Sequence, residues 1–445
     1  MESIAPRSAA IVVAAVTLCA VAAPDYSNTL GNPGFTGSYV SAFAFYDDGT
    51  GASLYATGSC AAAGVPGSSL IARWDGTAWN AVGGGLQNQF SNTLAVFNNQ
   101  LIVGGYFDSA GGVAGTEKLA AWDGTSWHSM NAQSSSFLNS IWDLQVHDDG
   151  SGDALYVGGN YLDLAGDPAL DYIARWDGTS YSAVGGTIGG AVPLIILDLL
   201  SADVGAGSRL FAAGRFLTFG GVSALNIAQW DGTAWAPVGG GLSRTSGLAQ
   251  VFHMVAWDDG TGMSLYAGGS FNRADSSTVV SNVARWDGTQ WNAMGDGFDA
   301  GVQELVVFDD GTGESLYALG NFGFSGATPI NHVARWNGTS WEAVGLGTDD
   351  SVFGAIVYDA GEGPALIMGG SFAHAGGLSS NRVASILSAA CVPDFNGDGV
   401  LDFFDVQGFL SAFAANDPAA DFTGDGVFDF FDVQAFLAAF AAGCP

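Results

Sequence analysis

Ala72-Arg73-Trp74-Asp75-Gly76-Thr77-Ala78-Trp79 is the stretch that decides the fold, because the chain repeats it. Variants of Trp-Asp-Gly-Thr-x-Trp begin at Trp74, Trp122, Trp176, Trp230, Trp286 and Trp336, roughly fifty residues apart. Upstream of each lies a segment such as Leu265-Tyr266-Ala267-Gly268-Gly269-Ser270-Phe271. Upstream of that, in four units, is an Asp-Asp-Gly turn with its second Asp at Asp48, Asp149, Asp259 or Asp310. Downstream comes a run such as Trp79-Asn80-Ala81-Val82-Gly83-Gly84. Asp-Gly between alternating apolar runs marks a hairpin, so each unit reads as four short antiparallel strands.

From Val40 to Leu387 the unit occurs seven times. A repeat of this length predicts an all-β, seven-bladed propeller over residues 24–388, which protects its sheet edges by radial repetition. The seventh unit has strands at 352–370 and 382–387 but no fourth, since Ser388 leads straight into a different composition. Tyr26-Ser27-Asn28-Thr29-Leu30-Gly31 matches the missing pattern, with Tyr26 in the Trp place, and is expected to complete the last blade. The Gly-Gly pairs, with an aromatic and a Trp following, resemble the kelch repeat, which is also found in the propeller of galactose oxidase. That resemblance implies the blade and no particular chemistry. The recurrent Arg73, Arg175, Arg285 and Arg335 read as donors between blades, to carbonyls or to turn aspartates.

The last fifty-odd residues change character. An acidic twelve-residue loop occurs twice, at 394–405 and 421–432. Calcium takes six to eight hard oxygens, supplied from loop positions 1, 3, 5, 7, 9 and 12 with Gly at 6. The first loop offers Asp394, Asn396, Asp398, the Val400 carbonyl, Asp402 and Asp405; the second offers Asp421, Thr423, Asp425, the Val427 carbonyl, Asp429 and Asp432. Large residues at i, i+3, i+4 and i+7 follow each loop, which makes one helical face. Loop-then-helix, duplicated, with Asp rather than Glu at position 12, resembles a dockerin over residues 391–445. The resemblance implies two calcium ions and a cohesin-like partner on a scaffold or surface protein. Phe403-Phe404 and Phe430-Phe431 stand where cellulosomal dockerins often carry polar partner-reading residues.

Residues 1–23 read as a secretory signal: Arg7, an apolar run from Ala9 to Ala23, and small residues before Pro24. The run is too short to span a bilayer, so no membrane insertion is expected after cleavage. In an oxidising compartment Cys391 and Cys444, which bracket the C-terminal module, are expected to pair, leaving Cys60 as a buried small residue. Asp and Glu number 43 against 11 Lys and Arg, a balance that repels nucleic acid and anionic membranes.

No catalyst emerges. His128, His147, His253, His332 and His374 occupy unlike positions and show no ligand spacing. Most aspartates repeat at turns, and the non-repeated ones are Asp163, Asp167, Asp171, Asp203 and Asp275. No Gly-x-Ser-x-Gly elbow occurs. The expectation is a secreted, monomeric, non-catalytic interaction protein whose propeller offers a face to a glycan or protein. The alternative is an extracellular glycoside hydrolase or lyase, which needs carboxylates gathered at the axial mouth.

Overall fold

The computed structural model describes residues 26–132, 140–190, 193–359, 364–388, 393, 395, 401–423 and 426–442. The expected signal at 1–23, Cys391, Cys444, and the loop residues Asp394, Asn396, Asp398, Val400 and Asp425 lie outside them.

The chain is mostly β. Its described strands form seven four-stranded antiparallel sheets and several two- or three-stranded ribbons. The first sheet takes Phe35–Asp47, Ala52–Ala62, Ser69–Trp74 and Trp79–Ala81, in that order. The next five repeat the meander, starting from Phe90–Phe97, Ile141–Asp148, Ile195–Ala202, Gln250–Asp258 and Val302–Asp309. The seventh takes Val352–Asp359, Pro364–Gly370 and Val383–Leu387 and is finished by Tyr26–Ser27, with Tyr26 opposite Ile386. No sheet curls to meet its own edge.

Local chemistry sets the hairpins. Asp47 Oδ1 accepts from the amides of Gly49 and Gly51, whose φ values of 92° and 113° suit glycine. In the second hairpin Asp75 Oδ1 accepts from the Thr77 and Ala78 amides and the Thr77 hydroxyl at 2.7–2.9 Å. Asp123, Asp177, Asp231 and Asp287 do the same, and Asn337 replaces them in the sixth sheet.

Sheets pack face to face in sequence. Seven apolar clusters are buried, each drawn from two neighbouring sheets. One of them joins Ile367 and Val383 of the seventh sheet to Val40, Leu54 and Trp79 of the first. Cys60 lies in this cluster, where burial pushes its thiol up to about 12. First strands contact their neighbours in turn, and Val352–Asp359 contacts Phe35–Asp47.

The last residue of each Trp-Asp-Gly-Thr-x-Trp run clasps the preceding sheet. Trp235 Nε1 donates to the Val184 carbonyl at 2.9 Å, Trp291 to Val238 at 3.1 Å and Trp341 to Met294 at 3.2 Å. Tyr181 Oη donates to Met130 at 3.0 Å, and Trp79 Nε1 to Leu30 at 2.9 Å. Tyr26 Oη reaches the Val344 carbonyl at 3.0 Å. Trp127 is the exception: its indole N–H is buried without a hydrogen-bond acceptor.

Arg73, Arg175, Arg285 and Arg335 do not bridge sheets, contrary to the expectation. Each pairs with the turn aspartate of its own sheet: Asp48, Asp149, Asp259 or Asp310, at 3.3–3.6 Å. The reason is register. Arg sits opposite Tyr55, Tyr156, Tyr266 or Tyr317, whose hydroxyl donates to that same aspartate. The other three sheets have Ile102 with Ala121, Phe211 with Gln229 and Ile367 with Ser385 in these paired places.

Two helices, α1 (Phe403–Ala415) and α2 (Phe430–Ala442), form the described C-terminal part. Their core reproduces the sequence duplication. Phe409 and Phe436 stack at 4.0 Å with planes 1° apart, and Phe395 and Phe422 stand edge-on to both.

Trp291→Phe keeps the ring and removes the clasp, leaving the Val238 carbonyl with the Gly241 amide as its donor. It is expected to cost about 1–2 kcal/mol. Trp127→Phe, which breaks no such bond, is expected to cost clearly less. Urea midpoints of the two variants make the comparison, and equal losses would remove the clasp as a stabilising element.

Candidate functional site

Every first strand carries a β-bulge at one shared place: between Val40 and Ala42, Ser91 and Thr93, Ile141 and Asp143, Ile196 and Asp198, Val251 and His253, Val302 and Glu304, and Val352 and Gly354. A bulge re-aims the side chains beside it. Here the seven bulges turn toward a single cavity of about 750 Å³, to which all seven first strands contribute.

The bulged positions are Ser41, Asn92, Trp142, Leu197, Phe252, Gln303 and Phe353, largely apolar or aromatic. The positions that follow them are Ala42, Thr93, Asp143, Asp198, His253, Glu304 and Gly354. Four consecutive sheets, the third to the sixth, therefore supply all the titratable groups on this ring. Arg215 also lines the cavity, its Nε donating to the Pro193 carbonyl at 2.6 Å.

A belt of hydrogen bonds ties these side chains to the next sheet. The Leu199 amide donates to Asp143 Oδ2 at 2.8 Å, and the Thr93 hydroxyl to Asp143 Oδ1 at 3.2 Å. The Leu305 amide donates to His253 Nδ1 at 3.3 Å. Since Nδ1 accepts, neutral His253 carries its proton on Nε2, which lies 3.2 Å from Glu304 Oε1 and 3.9 Å from Asp198 Oδ1. Asp198 is buried, and its Oδ2 has no hydrogen-bond partner.

Burial dominates the protonation of the group, because a charge loses its hydration there. It raises Asp143 to about 6 and lowers His253 to about 4. Burial and then the Asp143 charge push Asp198 well above the carboxylate range. Glu304 is raised likewise, first by burial and then by Asp198 and Asp143. Burial thus favours the uncharged forms of all four groups.

The acids that converge are not those singled out in the sequence. Asp203 holds a turn through the Gly205 and Gly207 amides, Asp167 caps a short helical turn, and Asp171 accepts from the Asp163 amide. Asp275 braces the Gly240 and Trp291 amides. Asp143, Asp198 and Glu304 were not singled out, and His253 was set aside for want of ligand spacing, because this position holds unlike residues in most repeats. Aligning the units by the bulge, two residues beyond the conserved apolar position, would have found them.

In the C-terminal part, Asp402 caps α1: the Phe404 amide donates to its Oδ1, while its own amide donates to Asp405 Oδ2 at 2.8 Å. Asp429 and Asp432 repeat the arrangement at α2. Asp405 and Asp432 are fully buried. The Asp429 and Thr423 groups donate to the Asp432 carboxyl and hold it below the usual carboxylate range. Thr423 Oγ1 lies 3.0 Å from Asp432 Oδ1 and 3.4 Å from Asp421 Oδ1. That is about the spacing of neighbouring oxygens around a cation with 2.3–2.6 Å ligand bonds. Val427 is exposed. Among the described residues no three His, Cys, Asp or Glu side chains converge to hold a metal.

No family model matches the sequence, and no curated protein matches it. Among solved structures, the chain is similar to the extracellular domain of a candidate one-component system from B. thetaiotaomicron, at 10% identity and a TM-score of 0.46. The match covers 81% of this chain and 40% of that one, so this chain spans about two fifths of its neighbour's length.

The raised acids set a pH dependence. Folded Asp198 and Glu304 keep protons that the unfolded chain gives up above its ordinary carboxylate pKa, so their contribution to stability is lost as pH rises. Asp198→Asn and Glu304→Gln remove that loss. Relative to the parent, each is expected to gain stability of the order of 1 kcal/mol or more between pH 4 and pH 8, with no gain at pH 4. Denaturant midpoints at the two pH values test this; a change independent of pH would contradict the protonated ring.

Proposed function

We propose that the seven sheets are the blades of a kelch-like β-propeller, and that the cavity at its axis binds a ligand without turning it over. The carrying observation is that all seven first strands open onto one cavity whose buried Asp198 has an unused carboxylate oxygen. A side chain held so by the fold, at the cost of burying an unpartnered polar atom, is better matched to an occupant than to the core. The successive inter-sheet cores, including the one between the seventh sheet and the first, support the propeller.

In this reading the protein is secreted, and residues 391–445 are a dockerin-like module that attaches it to a cohesin-bearing scaffold or cell surface. The support is the duplicated loop and the matching two-fold core. Asp421, Thr423, Asp429 and Asp432, with the Val427 carbonyl, would hold one calcium ion together with Asp425; Asp394, Asn396, Asp398, Val400, Asp402 and Asp405 would hold the other. The oxygen spacing around Thr423 fits such an ion, which would neutralise part of a module holding nine acids and no Lys or Arg.

A second reading, a polysaccharide-active enzyme, is favoured by the gathering of Asp143, Asp198 and Glu304 in one cavity. Environments that separate carboxyl protonation are what acid and base roles require.

Removing calcium with a chelator is expected to abolish the helical circular dichroism of the tail while leaving the β signal and main unfolding transition in place. Asp432→Ala should do the same even with calcium present. Capture of a cohesin-like protein by the whole mature chain should follow calcium in parallel. Helices that persist in the chelator would remove calcium from the module. Sugar release abolished by Asp198→Asn and by Glu304→Gln would favour the enzyme over the binder.

A further inference from the structure

The unpartnered Asp198 Oδ2 belongs to a cavity that is rich in acid and poor in compensating charge. Asp143 is satisfied by the Leu199 amide and the Thr93 hydroxyl. Asp198 is held by the Met254 and Leu199 amides, which leave its Oδ2 unpartnered, and Glu304 faces the Nε2–H of His253 at 3.2 Å. Among the described residues the one cationic side chain on the wall is Arg215, whose Nε donates to the Pro193 carbonyl. Beside the acids stand the bulged aromatics Trp142, Phe252 and Phe353.

We propose that this cavity takes a protonated organic amine, its ammonium group among Asp143, Asp198 and Glu304 and its apolar part against Trp142, Phe252 and Phe353. The inference rests on the reading of the cavity as a ligand site. An ammonium supplies the donors and the positive charge that the acids lack, and aromatic faces add cation–π attraction. It favours the ionised form of the acids beside it, so carboxyl protons are released to solvent as the ammonium enters. The surplus of acidic over basic groups across the chain draws cations toward it.

A metal ion fits less well. His253 presents a proton on the nitrogen that faces the acids, because Nδ1 is committed to the Leu305 amide. An organic ammonium leaves that tautomer in place, and its apolar part uses aromatic walls that a metal would not need.

Calorimetric titration of the whole mature chain with tyramine and with tyrosol, its uncharged hydroxyl counterpart, isolates the charge. Tyramine is expected to bind at least ten-fold more tightly than tyrosol, and more tightly at pH 8 than at pH 5 as the acids ionise. Asp198→Asn and Glu304→Gln should each weaken tyramine ten-fold or more and leave tyrosol unchanged. The two are separate substitutions, so misfolding of one, seen in its melting curve, leaves the other as the test. Tyramine bound no better than tyrosol, or not bound at millimolar concentration, overturns the inference. Binding of a neutral oligosaccharide in tyramine's place would do so while preserving the cavity as a ligand site. If none of these probes binds the folded protein, both the inference and the binding reading fall.

Discussion

In six of the seven sheets one aromatic side chain donates a hydrogen bond to a carbonyl of the sheet before it, and this is the interaction on which the rest of the architecture leans. A four-stranded sheet with two apolar faces has no stable existence alone; it needs a neighbour on both sides. The Trp and Tyr donors fix where that neighbour sits, since a buried indole N–H or phenol finds its partner at only one register. Gly185 shows how close the fit is: a Cβ there would lie 2.0 Å from the Trp230 ring. Once the outer strands are clasped, the first strands are brought side by side, and their bulges have one space to turn into.

The Asp–Tyr–Arg unit at the first turn behaves as a single device. It is present entire in four sheets, and in the other three the paired strand positions have lost Tyr and Arg together. The physics accounts for that. A buried aspartate without its arginine, or an arginine facing no carboxylate, is a net cost, whereas replacing both with apolar or neutral residues is nearly neutral. The chain thus contains its own comparison, made across repeats within one molecule.

Strand pattern and turn chemistry were legible in the sequence because they repeat: the Asp-Gly hairpins, the Trp runs and the helices of the tail all stand where the periodicity put them. Tyr26 was readable as a substitute for Trp, and its hydroxyl acts on Val344 as the indoles do elsewhere. The short ribbons, such as Leu86–Gln87 with Ser109–Ala110, were not, since two residues carry no period. The cavity acids were hidden for the opposite reason. A repeat draws the eye to what recurs, and the site lies in a column that reads Ala42, Thr93, Asp143, Asp198, His253, Glu304 and Gly354. The four arginines do pair with turn aspartates, one of the two partners expected, but within a sheet rather than between blades, because pairing register, unlike residue type, is not written in a single strand.

The pairing of Tyr26–Ser27 with Val383–Leu387 has a kinetic consequence. The hydrogen bond from Tyr26 to Val344 joins residues 318 apart in the chain, so the loop it closes is nearly the whole β region. Such contacts are entropically late. Six sheets can assemble as the chain emerges, but the seventh waits with an open edge until the first residues return to it. Those few residues then finish the seventh sheet, so the last step of assembly falls to a two-residue strand.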